Sequence, residues 1–293
     1  MFRVISKIIP IYRQLNVTWY SAFKPIYYLT SLLGLFPYTL KHESTNVFKT
    51  YLNSYYLNFI YASIIFIILC VFCVLHIQDV IYAGKSYSMT NENLTEINYI
   101  FEFVFLLVYC FVAYYCAFTN GKLYINILNR VIATCRRTAV DRYEKNMKLV
   151  DKRLKKIVYS YTLLAVTTII INFTRKGSVW KSVLVLFTFI LPQTVQLATL
   201  AHYCSLVVMI TGLLDNIILC LSYYDQNKRV AHGIWTTKPR AVSILSNLKT
   251  CFIKVYNIKE DINRAFQAPI LFTAIQCFHC LVSEAGSLYH GVG

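Results

Sequence analysis

The sequence predicts an all-α membrane protein, a polytopic bundle of helices, on three observations. Residues 50–78 contain no Lys, Arg, Asp or Glu, and several further uncharged stretches follow. A helix needs about 20 such residues, at about 1.5 Å each, to cross the hydrocarbon core of a bilayer. Across the chain, 57% of the residues are hydrophobic and 14% are charged, as is typical of integral membrane proteins. Because lipid offers the backbone no hydrogen-bond partner, each uncharged stretch is predicted to be a helix.

The N-terminal region, residues 1–56, is predicted to be a basic cytoplasmic segment. Its first 24 residues contain four Lys or Arg and no acid, and its apolar residues follow helical spacing. Residues 25–40 are uncharged but too short for a span, and Gly34 and Pro37 weaken a helix there. We therefore expect an amphipathic or re-entrant helix at 25–40 rather than a membrane span.

Five spans are predicted in the rest of the chain. The first, 57–78, falls within the uncharged run 50–78, and the second, 98–118, contains Glu102 near its start. The third is 157–174 and the fourth is 182–211, where Pro192 predicts a kink. The fifth is 265–283, and a glycine-containing tail, 284–293, follows it.

The distribution of positive charge predicts the orientation. Six Lys or Arg precede the first span, eleven lie between the second and third, and eight lie between the fourth and fifth. The alternate loops carry one and three. Basic loops stay on the cytoplasmic side, so the N-terminus is predicted to be inside, with cytoplasmic regions at 119–156 and 212–264. The net charge of +16 is then explained by these regions, without nucleic acid as a partner.

The basic regions also carry apolar stripes that predict helices longer than the membrane. One stripe runs into the third span and another precedes the fifth: Val140, Tyr143, Met147, Val150, Leu154 and Ile157, then Leu245, Leu248, Phe252, Val255, Ile262 and Phe266. Residues at such spacing share one helix face. We expect these helices to pack together in the cytoplasm; the alternative is that they lie on the inner leaflet.

No motif predicts catalysis, a metal or a cofactor. Cys70/Cys73 and Cys277/Cys280 have the spacing of zinc ligands, but both pairs lie inside apolar spans, where Cys behaves as a small hydrophobe. No pattern pairs a nucleophile with a base, so an enzyme is not expected. The sequon at Asn93 lies in a loop predicted to be outside, which makes it the candidate glycosylation site.

The triplet Asp141-Arg142-Tyr143 resembles the ionic lock of a G-protein-coupled receptor. It lies more than 20 residues beyond a span and follows the second span, where that family requires the third. The family also requires an external N-terminus, which the charge distribution contradicts. A G-protein-coupled receptor is therefore an alternative that the sequence does not favour. A carrier is disfavoured as well, since no internal repeat is visible.

Polar groups inside spans are costly, so they are the candidate ligand-binding residues. They fall in or near the outer halves of the second, fourth and fifth spans, and two neighbouring aromatic residues join them: Tyr99, Glu102, Phe105, Gln193, Gln196, Gln276 and His279. A hydrogen bond between helices is the competing explanation for each polar member. We predict a pocket that opens to the outside.

Two segments resemble the insect gustatory receptors. Residues 24–28, KPIYY, and 34–38, GLFPY, are similar to the short segment that precedes the first span in that family. Three further features fit this family as well: a basic loop after the second span, an internal N-terminus and a long fourth helix. From Leu197 the fourth helix reads LATLAHYCSLVVMITGLLDN. The resemblance covers almost the whole chain, but the TYxxxxxQF-like motif of the family's seventh helix is absent.

The resemblance implies a taste receptor at the plasma membrane. Members of the family are ligand-gated cation channels that form homo- or heterotetramers, with a pore lined by the seventh helix and a shared cytoplasmic anchor. They detect small-molecule tastants. The chain is then expected to be a fragment that lacks the sixth and seventh spans. An odorant receptor of the same superfamily is the nearest alternative.

Overall fold

The computed structural model describes residues 23–38, 41–42, 48–49, 52–84, 92–137, 143–174, 179–230 and 238–291. Within them, helix α1 covers 23–32 and a two-residue antiparallel pair joins β1 (Lys41–His42) to β2 (Phe48–Lys49). The remaining elements are helices, as predicted: α2 (Leu52–Gly84), α3 (Glu92–Thr119), α4 (Gly121–Arg137), α5 (Tyr143–Thr174), α6 (Val179–Val185), a π-helical turn (Leu186–Ile190), α7 (Leu191–Val230) and α8 (Lys238–Gly291).

Five helical stretches of the described chain are long and apolar enough to cross a membrane. They are Tyr56–Asp79, Ile100–Thr119, Lys148–Thr174, Val179–Ser222 and Leu245–Val282. The fold class and the number of spans therefore agree with the sequence prediction. α5 packs mainly along α7, and its apolar side chains, such as Leu163 and Ile170, are exposed. Such exposure is favourable only against lipid or another protein.

The fourth span is helical throughout but changes its hydrogen-bonding pattern. The N–H of Leu191 donates to the carbonyl of Leu186, five residues back, which defines the π-helical turn. Pro192 follows at once and has no N–H to continue the ladder. The sequence predicted a kink at Pro192, and the structure places the irregularity in the preceding turn.

α8 runs through Pro269 without a break, because another element replaces the missing hydrogen bond. Pro269 cannot donate to the carbonyl of Ala265, four residues earlier. The side chain of Asn120, between α3 and α4, donates through Nδ2 to that carbonyl at 3.2 Å. Asn120 thereby joins the end of α3 to the middle of α8.

The lysine- and arginine-rich parts of α4, α5, α7 and α8 form one end of the bundle, here the basic end. Its core buries the predicted residues Val150, Leu154, Leu248, Val255, Ile262 and Phe266, together with α4 and the middle of α7. Gly212 of α7 permits the close approach of α5, since an added Cβ would lie 2.6 Å from Cγ2 of Val150. The prediction that the stripes pack together is confirmed for these residues.

Two residues of the α8 stripe were assigned to the wrong face. Leu245 and Phe252 are exposed, whereas Cys251 and Ile258 fill the buried positions. The buried residues of α8 recur every three or four positions from Leu248 onward. Phe252 follows the buried Cys251 by one position and therefore falls on the exposed face. The described side chains do not include residues 140, 143 and 147 of the α5 stripe, the triplet at 141–143 or residues 1–22.

The segment after α1 turns back into the bundle at Gly34. The N–H of Leu35 donates to Thr30 O at 2.8 Å and that of Gly34 to Ser31 O at 3.0 Å, the two bonds of a Schellman motif. This motif needs a left-handed residue, and Gly34 has a φ of 72°. An added Cβ would also lie 2.9 Å from Cβ of Ala62. The chain therefore packs against α2 and buries residues 33–38.

An ion pair fastens α4 to α8 at the basic end. Arg130 donates to one carboxylate oxygen of Asp261, and Arg264 donates to the other at 3.0 Å. Asp261 is mostly buried, so the pair is better shielded from water than a surface ion pair. It holds the first half of α8 against α4.

Candidate ligand-binding site

The predicted site residues lie on α3, α7 and α8, three helices that pack against one another. Gln196 and Gln276 are buried, and Glu102, Phe105, Gln193 and His279 are half-buried. Glu102 takes part in an interaction of its own. The side chains of Tyr99 and of the sequon residue Asn93 lie outside the described residues, although both belong to α3.

Aromatic contacts join α3 to α8 at the end of the bundle opposite the basic end, here the far end. The imidazole of His279 lies 5.4 Å from the Phe105 ring and 6.4 Å from the Phe101 ring, measured between centroids. Phe105 and His279 were both predicted from the sequence, and the structure brings them together. Among the described residues, no hydrogen bond joins Gln193 to them.

Tyr109 continues this line toward the middle of the bundle, and the sequence analysis missed it. It lies one turn beyond Phe105 on α3 and is almost fully buried. Thr199 of α7 and Thr273 of α8 lie near its hydroxyl. Both threonines use their own hydroxyl hydrogens in bonds to carbonyls one turn back, Val195 O and Pro269 O.

Helical spacing from the predicted residues identifies Tyr109, Thr199 and Thr273 as further members of the same helix faces. Tyr109 follows Phe105 by four positions, Thr199 follows Gln196 by three, and Thr273 precedes Gln276 by three. Residues at these separations share a helix face. We call the resulting contact the seam, and define it by Phe105, Tyr109, Gln196, Thr199, Thr273, Gln276 and His279.

The seam contains buried polar atoms without hydrogen-bond partners. Oε1 of Gln276 and Nε2 of His279 have no partner, and the Tyr109 hydroxyl lies beside Thr199 and Thr273 without a well-aligned hydrogen bond to either. Most buried polar groups in proteins are hydrogen-bonded, because an unpaired one costs about 1–3 kcal/mol. Three such atoms on the face where α3 meets α8 therefore indicate a place where water or a ligand supplies the missing bonds.

A second polar contact lies at the far end, between α2 and the π-helical turn. Nδ1 of His76 and Oγ1 of Thr188 are 2.8 Å apart. Because the Thr188 hydroxyl donates to Leu184 O, it accepts from His76, which carries its proton on Nδ1. Phe103 and Phe189 flank the imidazole. This pair is satisfied internally and ties α2 to the irregular turn.

A third histidine, His202, is fully enclosed by aromatic rings between the seam and the basic end. The rings come from four elements: Phe23 of α1, Phe36 after it, Tyr124 of α4 and Phe266 of α8, at 5.1–6.0 Å. Nε2 of His202 has no partner. Burial raises the pKa of the Tyr124 phenol, with smaller contributions from Cys116 and Tyr109, so Tyr124 stays protonated.

The cysteines form no metal centre among the described residues. The CxxC pairs lie on α2 and α8, and every cysteine is a free thiol. No group of three His, Cys, Asp or Glu in the described chain is arranged to hold a metal ion. Asn172, part of another sequon, is buried and donates to Ser182 O at 3.0 Å, which joins α5 to α6.

A family comparison accounts for this architecture. The family model described as 7tm chemosensory receptor matches residues 23–291, nearly the whole chain. Comparisons with curated proteins and with solved structures gave no match. The family match agrees with the resemblance to insect gustatory receptors, does not favour a G-protein-coupled receptor, and indicates a receptor rather than an enzyme. The chain belongs to the 7tm chemosensory receptor family.

Proposed function

We propose that this chain is a gustatory receptor subunit of a ligand-gated cation channel in the plasma membrane. The observation that carries the proposal is the seam between α3, α7 and α8. It combines apolar side chains with buried polar atoms that lack hydrogen-bond partners. Ligand sites in proteins combine apolar walls with a few convergent polar groups. In this account the N-terminus and the basic end are cytoplasmic, and the seam and Asn93 lie toward the outside.

The seam and the basic end share two continuous helices, which supports coupling between them. Thr199 faces the seam on α7, and His202 enters the aromatic enclosure three residues later. On α8, Thr273 and Phe266 lie two turns apart and belong to the same two regions. A ligand that binds one arrangement of these helices more tightly than another would shift the population toward it. Partner subunits in a tetramer would transmit that shift to the pore.

An odorant receptor of the same superfamily remains the second candidate function. Both classes need an outer ligand site, and the family match covers chemosensory receptors in general. The chemical stimulus separates them, because tastants act from solution as non-volatile solutes. A response restricted to volatile compounds would favour the odorant class.

Glu102→Gln tests the proposed function in cells that express this chain together with a second gustatory receptor subunit. Glu102 is half-buried on α3, three residues before Phe105. Neutralising it should leave surface expression nearly unchanged and shift the tastant concentration response about three- to tenfold, equivalent to about 0.7–1.4 kcal/mol. The measurement is the tastant-evoked cation current together with surface biotinylation.

The matched control is Glu260→Gln on the exposed side of α8 at the basic end, which should not shift the response. The second subunit expressed without this chain gives the baseline. A current identical to that baseline, in amplitude and concentration dependence, would contradict the channel-subunit proposal. The family assignment would stand.

A further inference from the structure

We propose that the seam selects uncharged molecules that carry a hydroxyl group on a flat apolar body. This inference deepens the proposed function and rests on it. It identifies the chemical class of the ligand from the atoms that the protein leaves without partners.

The unpaired atoms lie along one short line. α3 and α8 run antiparallel here, since Phe105 contacts His279 while Tyr109, further along α3, lies near Thr273, which is earlier on α8. Gln276 is midway between Thr273 and His279 and on the same face of α8. The six residue-to-residue steps from 273 to 279 span about 9 Å at about 1.5 Å per step. Three unpaired polar atoms within this length match the size of one small molecule.

The hydrogen-bonding capacity of these atoms favours a hydroxyl. Oε1 of Gln276 only accepts, so the ligand must donate to it. The Tyr109 hydroxyl both donates and accepts, and Nε2 of His279 does one or the other according to its tautomer. A hydroxyl donates and accepts, so it can serve any of the three. An ether or ketone cannot satisfy Gln276.

The charge around the seam disfavours ions. Residues 103–119 of α3, 191–214 of α7 and 265–283 of α8 contain no Lys, Arg, Asp or Glu. A carboxylate would be buried without a cation, which costs several kcal/mol. Glu102 lies at the far edge of the seam and takes part in another interaction, so it does not provide a dedicated partner for a buried amine.

The apolar part of the site favours a flat ligand. Phe101 and Phe105 flank His279. Leu106, which directly follows Phe105 on α3, is fully buried. Aromatic side chains gain from edge or offset contact with a second ring, by about 0.5–1.5 kcal/mol beyond the area buried. A ligand with an aryl or similarly flat group would gain such contacts with the rings of Phe101 and Phe105.

Four matched probes test the inference on the purified full chain in nanodiscs: 2-phenylethanol, its methyl ether, phenylacetate and 2-phenylethylamine. Ligand-observed NMR titration gives the dissociation constant of each. We expect saturable binding of the alcohol. The ether should bind at least roughly fivefold more weakly, the loss of one hydrogen bond of about 1 kcal/mol. The carboxylate and the amine should show no saturable binding.

Gln276→Leu and Tyr109→Phe then locate the site. Each removes an unpaired buried polar atom and keeps the side chain's bulk, so folding should be retained. Each should weaken binding of the alcohol roughly fivefold and leave the ether unchanged. Gln267→Leu, an exposed glutamine on the same helix, is the matched control and should alter neither.

Three outcomes would overturn the inference. Tighter binding of the carboxylate or the amine would show that the ligand class is wrong, although a ligand site would remain. Equal binding of alcohol and ether, or no effect of either variant, would show that the unpaired atoms do not contact the ligand. Failure of all four probes would show that the seam does not bind ligands of this class. None of these decides whether the chain forms a channel subunit, which the current recordings measure separately.

Discussion

At the residue scale, His202 shows how this chain uses a polar side chain where the surroundings are apolar. Its ring is 3% exposed and touches aromatic rings from α1, α4 and α8, but Nε2 has no partner. His202 must then stabilise the fold through the packing of its ring, because its unpaired Nε2 lowers the stability. The residue was visible in the sequence as part of the HYCSLVV stretch, but periodicity alone could not reveal its four aromatic neighbours.

Replacement of His202 separates packing from polarity. His202→Ala should lower the free energy of unfolding by about 2–4 kcal/mol, because it leaves a cavity among rigid rings. His202→Phe keeps a ring and removes a nitrogen that costs about 1–3 kcal/mol, so it should be neutral or stabilising. Thermal melting in one detergent, followed by size-exclusion chromatography, measures both. A His202→Phe protein as unstable as His202→Ala would show that Nε2 makes an essential interaction.

At the element scale, the helices are irregular where other elements compensate. The π-helical turn before Pro192 contacts α2 through His76 and Thr188, and α8 continues through Pro269, where Asn120 satisfies Ala265 O. Pro192 and Pro269 were visible in the sequence. Their partners were not, because Asn120 is 145 residues from Ala265 along the chain.

A double-mutant cycle tests the compensation at Pro269. Asn120→Ala should lower the free energy of unfolding by about 1–2 kcal/mol, since it leaves the Ala265 carbonyl unpaired. Pro269→Ala supplies an N–H for that carbonyl, so Asn120→Ala should cost less in this background, with a coupling of about 0.5–1 kcal/mol. Chemical or thermal unfolding of the four proteins measures the cycle.

Asn263→Ala, on the exposed face of α8, is the control for this cycle and should show no coupling with Pro269→Ala. Strictly additive effects of Asn120→Ala and Pro269→Ala would mean that the Asn120 hydrogen bond does not replace the missing helical bond.

At the scale of the whole molecule, the sequence predicted the helical class, the five stretches long and apolar enough to span a membrane, and part of the basic-end core, but none of its α4 residues. The predicted features follow from long uncharged runs and from apolar spacing, which are local signals. The errors at Leu245 and Phe252 arose because α8 carries apolar residues on two faces, and only the contact with α4 and α7 decides which face is buried. For the candidate site, the sequence pointed to polar residues because they are rare in spans. Tyr109 was missed because tyrosine is common throughout this chain.

Epitope tags at four positions test the central claim, a membrane receptor whose basic end is cytoplasmic and whose seam opens toward the outside. The tags are placed at residues 5, 145, 235 and 91, and antibody staining is compared before and after permeabilisation of the plasma membrane. We expect the first three tags to stain only permeabilised cells and the tag at 91 to stain intact cells, because 25 of the 29 Lys and Arg residues lie in the regions that carry the first three. Staining of the residue 5 tag on intact cells would contradict the orientation and, with it, the outward-facing ligand site.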